Sequence, residues 1–97
     1  MKKKTLKYTQ CLKTYEIELT WDLFIKGLNE CMEYFFYYKE LVIDIAFHYE
    51  GAKKVYELNI TNSENCTHFQ FDSVNDLIFY KAFDNKSLYD IWEELEN

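Results

Sequence analysis

Leu41, Ile43, Ile45, Phe47 and Tyr49 fall at every second position, with Val42, Asp44, Ala46 and His48 between them. A period of two marks a β-strand whose two faces meet different surroundings. Glu50 and Gly51 then supply a turn signal, and residues 54–60 read as a second strand, so the middle of the chain is a β-hairpin. An isolated hairpin is marginally stable in water. The other segments must therefore widen this sheet and cover its apolar face.

Residues 6–20 read as extended. Tyr15, Ile17 and Leu19 alternate with Glu16, Glu18 and Thr20, while Leu6, Tyr8, Gln10 and Leu12 alternate in the opposite phase. A turn or bulge near Lys13 and Thr14 reconciles the two phases. Thr20 is a candidate N-cap with Asp22 in the first turn. Trp21, Phe24, Ile25, Leu28, Cys31, Met32, Phe35 and Phe36 recur at three- and four-residue spacing, which predicts one long amphipathic helix of about five turns. The run 34–38 is aromatic all round, so that helix either ends buried or leaves Tyr37 and Tyr38 at a surface. Residues 66–71 form a further strand with Phe69 and Phe71 inward. Ser73 with Asp76, and Ser87 with Asp90, are capping-box pairs that open two short helices. The expected order is β(β)-α-β-β-β-α-α. The expected fold is α+β: an antiparallel sheet of about four strands, with the long helix and two short C-terminal helices packed on it.

A chain of 97 residues that is 48% apolar and 20% aromatic has the size and composition of a single domain with a packed core. It is read as one domain over residues 1–97, with residues 1–5 a flexible basic arm. Five of the eleven lysines (Lys2, Lys3, Lys4, Lys7 and Lys13) precede the first acid; the rest of the chain sets six lysines against seventeen acids. An acidic body repels nucleic acid and favours basic protein surfaces. There is no Arg, the side chain best suited to gripping phosphate in a bidentate fork. Cys11, Cys31 and Cys66 are odd in number and far apart, which suits reduced thiols better than a disulfide framework. No apolar run reaches the ~20 residues of a membrane span, and none follows Lys2–Lys4 as a signal peptide requires. The expected setting is the bacterial cytoplasm, away from membranes.

Sites of chemistry are scarce. His48 and His68 are the only histidines, and Cys66-x-His68 is the only close Cys/His pair, too few for a structural zinc site. Two glycines cannot build a phosphate-binding loop, and Ser73 and Ser87 are accounted for as caps. The expectation is a protein that is not an enzyme, with no catalytic residue, cofactor or metal. The order helix, three strands, helix matches a double-stranded RNA-binding domain, but 72–76 reads Asp-Ser-Val-Asn-Asp where such domains are basic. Direct nucleic-acid binding is therefore not expected.

The segment 71–78 (Phe-Asp-Ser-Val-Asn-Asp-Leu-Ile), with 83–92 (Phe-Asp-Asn-Lys-Ser-Leu-Tyr-Asp-Ile-Trp), resembles a C-terminal helical block of small acidic proteins from low-GC Gram-positive bacteria and their phages and mobile elements. Asn85 stands where those proteins often have Gly, which suits a turn with positive φ. Absence of Arg and abundance of Asn, Tyr, Phe and Ile point to the same A/T-rich origin. In size and acidity the chain is similar to anti-CRISPR proteins, several of which occupy the nucleic-acid channel of a Cas nuclease. That likeness implies an inhibitor docking an acidic surface on a basic partner, with Asp84, Asp90, Glu93, Glu94 and Glu96 as partner-binding acids and Tyr37 and Tyr38 as aromatic anchors. The alternatives are a toxin-neutralising immunity or antitoxin-like protein, a small nucleic-acid-binding module using the lysine arm, and a homodimer with a structural role.

Overall fold

The computed structural model describes residues 4–10 and 13–96. Two strands, β1 (Lys4–Gln10) and β2 (Lys13–Leu19), pair antiparallel from Lys4 opposite Leu19 to Gln10 opposite Lys13. The opposed phases in the sequence thus belong to two strands of a hairpin. Lys4 and Thr5 lie in β1; the rest of the expected arm, residues 1–3, lies outside the described residues.

Thr20 caps α1 (Trp21–Asn29), its hydroxyl accepting from the Leu23 N–H at 3.2 Å, with Asp22 in the first turn. The helix buries Phe24, Gly27 and Leu28. Its nine residues make about two and a half turns rather than about five, which corrects the long helix expected from the spacing. Cys31 takes a left-handed conformation (φ 67°) just past the Glu30 C-cap and turns the chain away. Residues Tyr34–Tyr38 form strand β3. Tyr34, Phe36 and Tyr38 are buried and Phe35 and Tyr37 exposed, a period of two that aromatic residues favour. Strand pairing overrides the helical spacing.

A two-residue turn, with Lys39 at φ 54°, leads from β3 into β4 (Leu41–Glu50), and Gly51 at φ 65° leads on to β5 (Lys53–Thr61). After a polar loop comes β6 (Cys66–Phe71). These four strands form one antiparallel sheet in the order β3-β4-β5-β6, apart from the β1-β2 pair. The sheet has four strands as expected, but β3 takes the place the N-terminal extended region was expected to fill. The element order is accordingly β-β-α-β-β-β-β-α-α.

Ser73 and Ser87 cap α2 (Val74–Phe79) and α3 (Leu88–Ile91), the latter with both hydrogen bonds of a capping box, and a 3-10 turn (Trp92–Glu94) follows. All the helices lie on one face of the sheet. Trp92, fully buried, is the hub: its ring centroid lies 5.2 Å from Trp21, 5.1 Å from Phe24 and 5.9 Å from Phe36. Phe24 also meets Tyr34 at 4.9 Å, and Gly27 lets the Tyr34 phenol close on the helix, since a Cβ there would fall 1.8 Å from its oxygen. The backbone of Glu96 bridges Tyr37 through hydrogen bonds of 2.7 and 2.9 Å and so covers part of the β3 edge. Among the described residues, no helix lies on the opposite face of the sheet. No helix among the described residues is long and apolar enough to cross a membrane.

Candidate partner-binding surface

The C-terminal helical segment has an inward and an outward side. Leu88, Ile91, Trp92 and Leu95 are buried; Tyr89, Asp90, Glu93 and Glu94 are exposed. The sequence therefore brings three of its five candidate acids, Asp90, Glu93 and Glu94, to the solvent side of one short element. Asp90 is the one tied to the fold. Its carboxylate accepts from the Ser87 N–H (2.9 Å), the Ser87 hydroxyl (3.1 Å) and the Lys81 ammonium (3.3 Å). The Ser87 backbone and hydroxyl bonds, followed by Lys81, hold its pKa below the usual carboxylate range.

The other two candidate acids lie elsewhere. Asp84 occupies the tight turn between Phe83 and Lys86, with φ 48° there and 66° at Asn85, closed by two 2.9 Å backbone bonds. Consecutive positive φ values are those of a primed turn, and Asn85 fills its position as the sequence suggested. Asp84 lines a cleft of about 510 Å³ together with Tyr38, Lys39, Leu41 and Asn62. Glu96 sits at the β3 edge beside Tyr37. The two candidate anchors part company: Tyr37 is 46% exposed, whereas Tyr38 is buried with its ring against Phe83 at 5.9 Å. Tyr37 and Phe35 stand together on the helix-free face, centroids 6.2 Å apart.

Aromatic residues outside the candidate set complete the helical surface. Tyr89, 44% exposed, meets Trp21 edge to face at 5.4 Å and Phe79 at 5.6 Å, and Phe79 is itself 50% exposed. These three rings run from the start of α1 through α3 to the end of α2. Around them in sequence stand Asp22, Asp76, Asp90 and Glu93, all exposed. Exposed aromatic rings and exposed carboxylates on the same helical elements suit the anchor-and-rim anatomy of protein interfaces. The sequence concealed Phe79 and Tyr89 because each adjoins buried apolar residues, Ile78 and Leu88, and only the helix phase separates them.

On the helix-free face, His48 stands between two carboxylates, with Nε2 3.2 Å from Glu50 and Nδ1 3.2 Å from Glu57. These hydrogen bonds, that of Glu50 foremost, raise its pKa. No group of three or more metal-ligating side chains is assembled among the described residues. Comparison with protein families, curated proteins and solved structures finds no match to this chain.

Proposed function

We propose that this protein is a non-enzymatic inhibitor from a phage or mobile element that docks the aromatic and acidic helical surface on a basic bacterial protein in the host cytoplasm. The reading is carried by one observation: Trp21, Phe79 and Tyr89 form a continuous ring series, partly open to solvent, on elements that also expose Asp22, Asp76, Asp90 and Glu93. The aromatic series supplies desolvated anchors and the acids supply steering toward positive charge. A Cas nuclease, whose nucleic-acid channel is positively charged, is a partner of the required kind, which makes the protein anti-CRISPR-like in action.

The test is binding to a purified Cas nuclease from a low-GC host by biolayer interferometry at low and moderate salt. Phe79→Ala with Tyr89→Ala is expected to weaken affinity by about 30-fold or more, mainly through faster dissociation. Glu93→Lys with Glu94→Lys is expected to slow association and flatten its salt dependence. Affinity indifferent to both double variants would remove the reading. The nucleic-acid alternative finds support in Phe35 and Tyr37 on the open sheet face, but the neighbouring Asp44 and Glu57 disfavour it. Under the toxin-neutralising alternative the same helical surface would meet a basic toxin.

A further inference from the structure

On β6, Cys66 and His68 are two residues apart and so project from the same face, the one without helices. The strand register places Thr61 opposite Cys66 and Asn59 opposite His68 on β5. The four side chains are joined. Asn59 Oδ1 bonds His68 Nδ1, His68 Nε2 lies 3.6 Å from Cys66 Sγ, and the Thr61 hydroxyl donates to the same sulfur at 3.3 Å. Cys66 and His68 are exposed.

The direction of each bond follows from its partners. An amide oxygen can only accept, so His68 carries its proton on Nδ1 and presents a lone pair at Nε2 toward the thiol. That is the tautomer a general base needs. The Thr61 hydroxyl donates to the sulfur at 3.3 Å and so orients it beside the imidazole. Nucleophile within reach of base, base oriented by a third group: this is the relation that activates thiols on unrelated folds. Cys31 is held differently, by Lys54 at 3.3 Å and Tyr49 at 3.6 Å, with no imidazole to take or return a proton.

We propose that Cys66, with His68 as its base and Asn59 as the positioning residue, is a nucleophilic modification site that accepts acyl groups from thioesters and activated esters. The Cys66 sulfur attacks the carbonyl carbon while its proton passes to His68 Nε2. The bond from that carbon to the leaving oxygen or sulfur breaks, and the leaving group takes the proton from Nε2. The product is an acyl thioester on Cys66, and no oxidant or metal enters the balance. With Cys66 and His68 both exposed, the site is assigned a single acylation of Cys66 rather than turnover of a substrate.

The experiment is acetylation of the full chain by p-nitrophenyl acetate, followed by intact mass and by peptide mapping of Cys11, Cys31, Cys66 and His68. Cys66 is expected to acylate faster than the thiol of an unstructured cysteine peptide, and His68→Ala to slow it about 100-fold with the rate at Cys31 unchanged. Asn59→Ala is expected to slow Cys66 as well, and Asn59→Asp, which restores an acceptor for Nδ1–H, to recover the rate. These side chains are exposed or half-buried, and circular dichroism of each variant checks that it is folded. A Cys66 rate equal to that of the free peptide, a rate indifferent to His68→Ala, or acetyl groups found on His68 alone would overturn the assignment.

Discussion

The two faces of the β3-β6 sheet are cut from the same strands, yet they carry different kinds of order. On the inner face Tyr34, Phe36, Ile43, Ile45, Leu58 and Ile60 are buried in apolar packing against the helices, with Lys54 reaching the Leu28 carbonyl and the Cys31 sulfur at its margin. On the other face Val55 is buried, but its neighbours are polar and arranged in short hydrogen-bonded chains: Glu50, His48 and Glu57 near one end, Asn59, His68, Cys66 and Thr61 toward β6. The inner face fixes the register, because a one-residue slip would expose the whole apolar set. The outer face inherits that register without supplying its energy. Its side chains are held in place by residues with which they share no contact, and they are free to carry chemistry.

The sharpest way to break this contrast is to truncate neighbours that point opposite ways. Phe36→Ala opens a cavity beneath Trp92 and is expected to lower stability by about 3–5 kcal/mol. Phe35→Ala, on the exposed side, is expected to change it by no more than about 0.5 kcal/mol. Urea unfolding of the pair measures both, and similar losses would mean that the outer face is covered too.

Gly27 sharpens it from the helical side. Alanine there collides with the Tyr34 phenol, and after the gain in helix propensity a net loss of about 1–2 kcal/mol is expected in thermal unfolding. Adding Tyr34→Phe removes the colliding oxygen and should recover part of that loss. A smaller effect is expected at the cover over the inner face. Ser87→Ala removes the α3 cap and should cost about 1 kcal/mol, with Asp90 then titrating closer to its ordinary value by NMR.

The smallest effect belongs to the outer face and is a matter of sign. The His48 pKa is raised in the folded state, so its pairing with Glu50 and Glu57 adds stability in full below the unfolded imidazole value of about 6.5. That contribution is lost as pH rises through the higher folded value. Comparing the protein with His48→Gln across this window, the gap in stability should close toward alkaline pH. A gap that widens instead would reverse the assignment of charge.

Features that depend on near neighbours were legible in the sequence. The β4-β5 hairpin, β6 and the caps at Thr20, Ser73 and Ser87 each rest on a few adjacent residues. β3 was hidden because an unbroken aromatic run satisfies a period of two and a period of 3.6 equally well. Only pairing with β4, Tyr34 opposite Ile45 and Phe36 opposite Ile43, decides between them. The acids of the C-terminal segment were visible as a cluster, but their division into outward Glu93 and Glu94, cap-bound Asp90 and distant Asp84 needed the fold. Cys66 and His68 could be seen as a spaced pair. Asn59 and Thr61 join them through strand register, which no local window contains.

Trp92 has a consequence for synthesis on the ribosome. Phe24, Tyr34 and Phe36 leave the exit tunnel long before it, and the ring that fills the space between them arrives among the final residues of the described chain. Until then the sheet presents an uncovered aromatic surface and, with Glu96 still to come, an unbridged β3 edge. A chain cut short of Trp92 is therefore expected to be cleaved by a protease faster than the full chain. The segment that carries Trp92 and Glu96 thus closes an aromatic core whose other parts precede it in the chain.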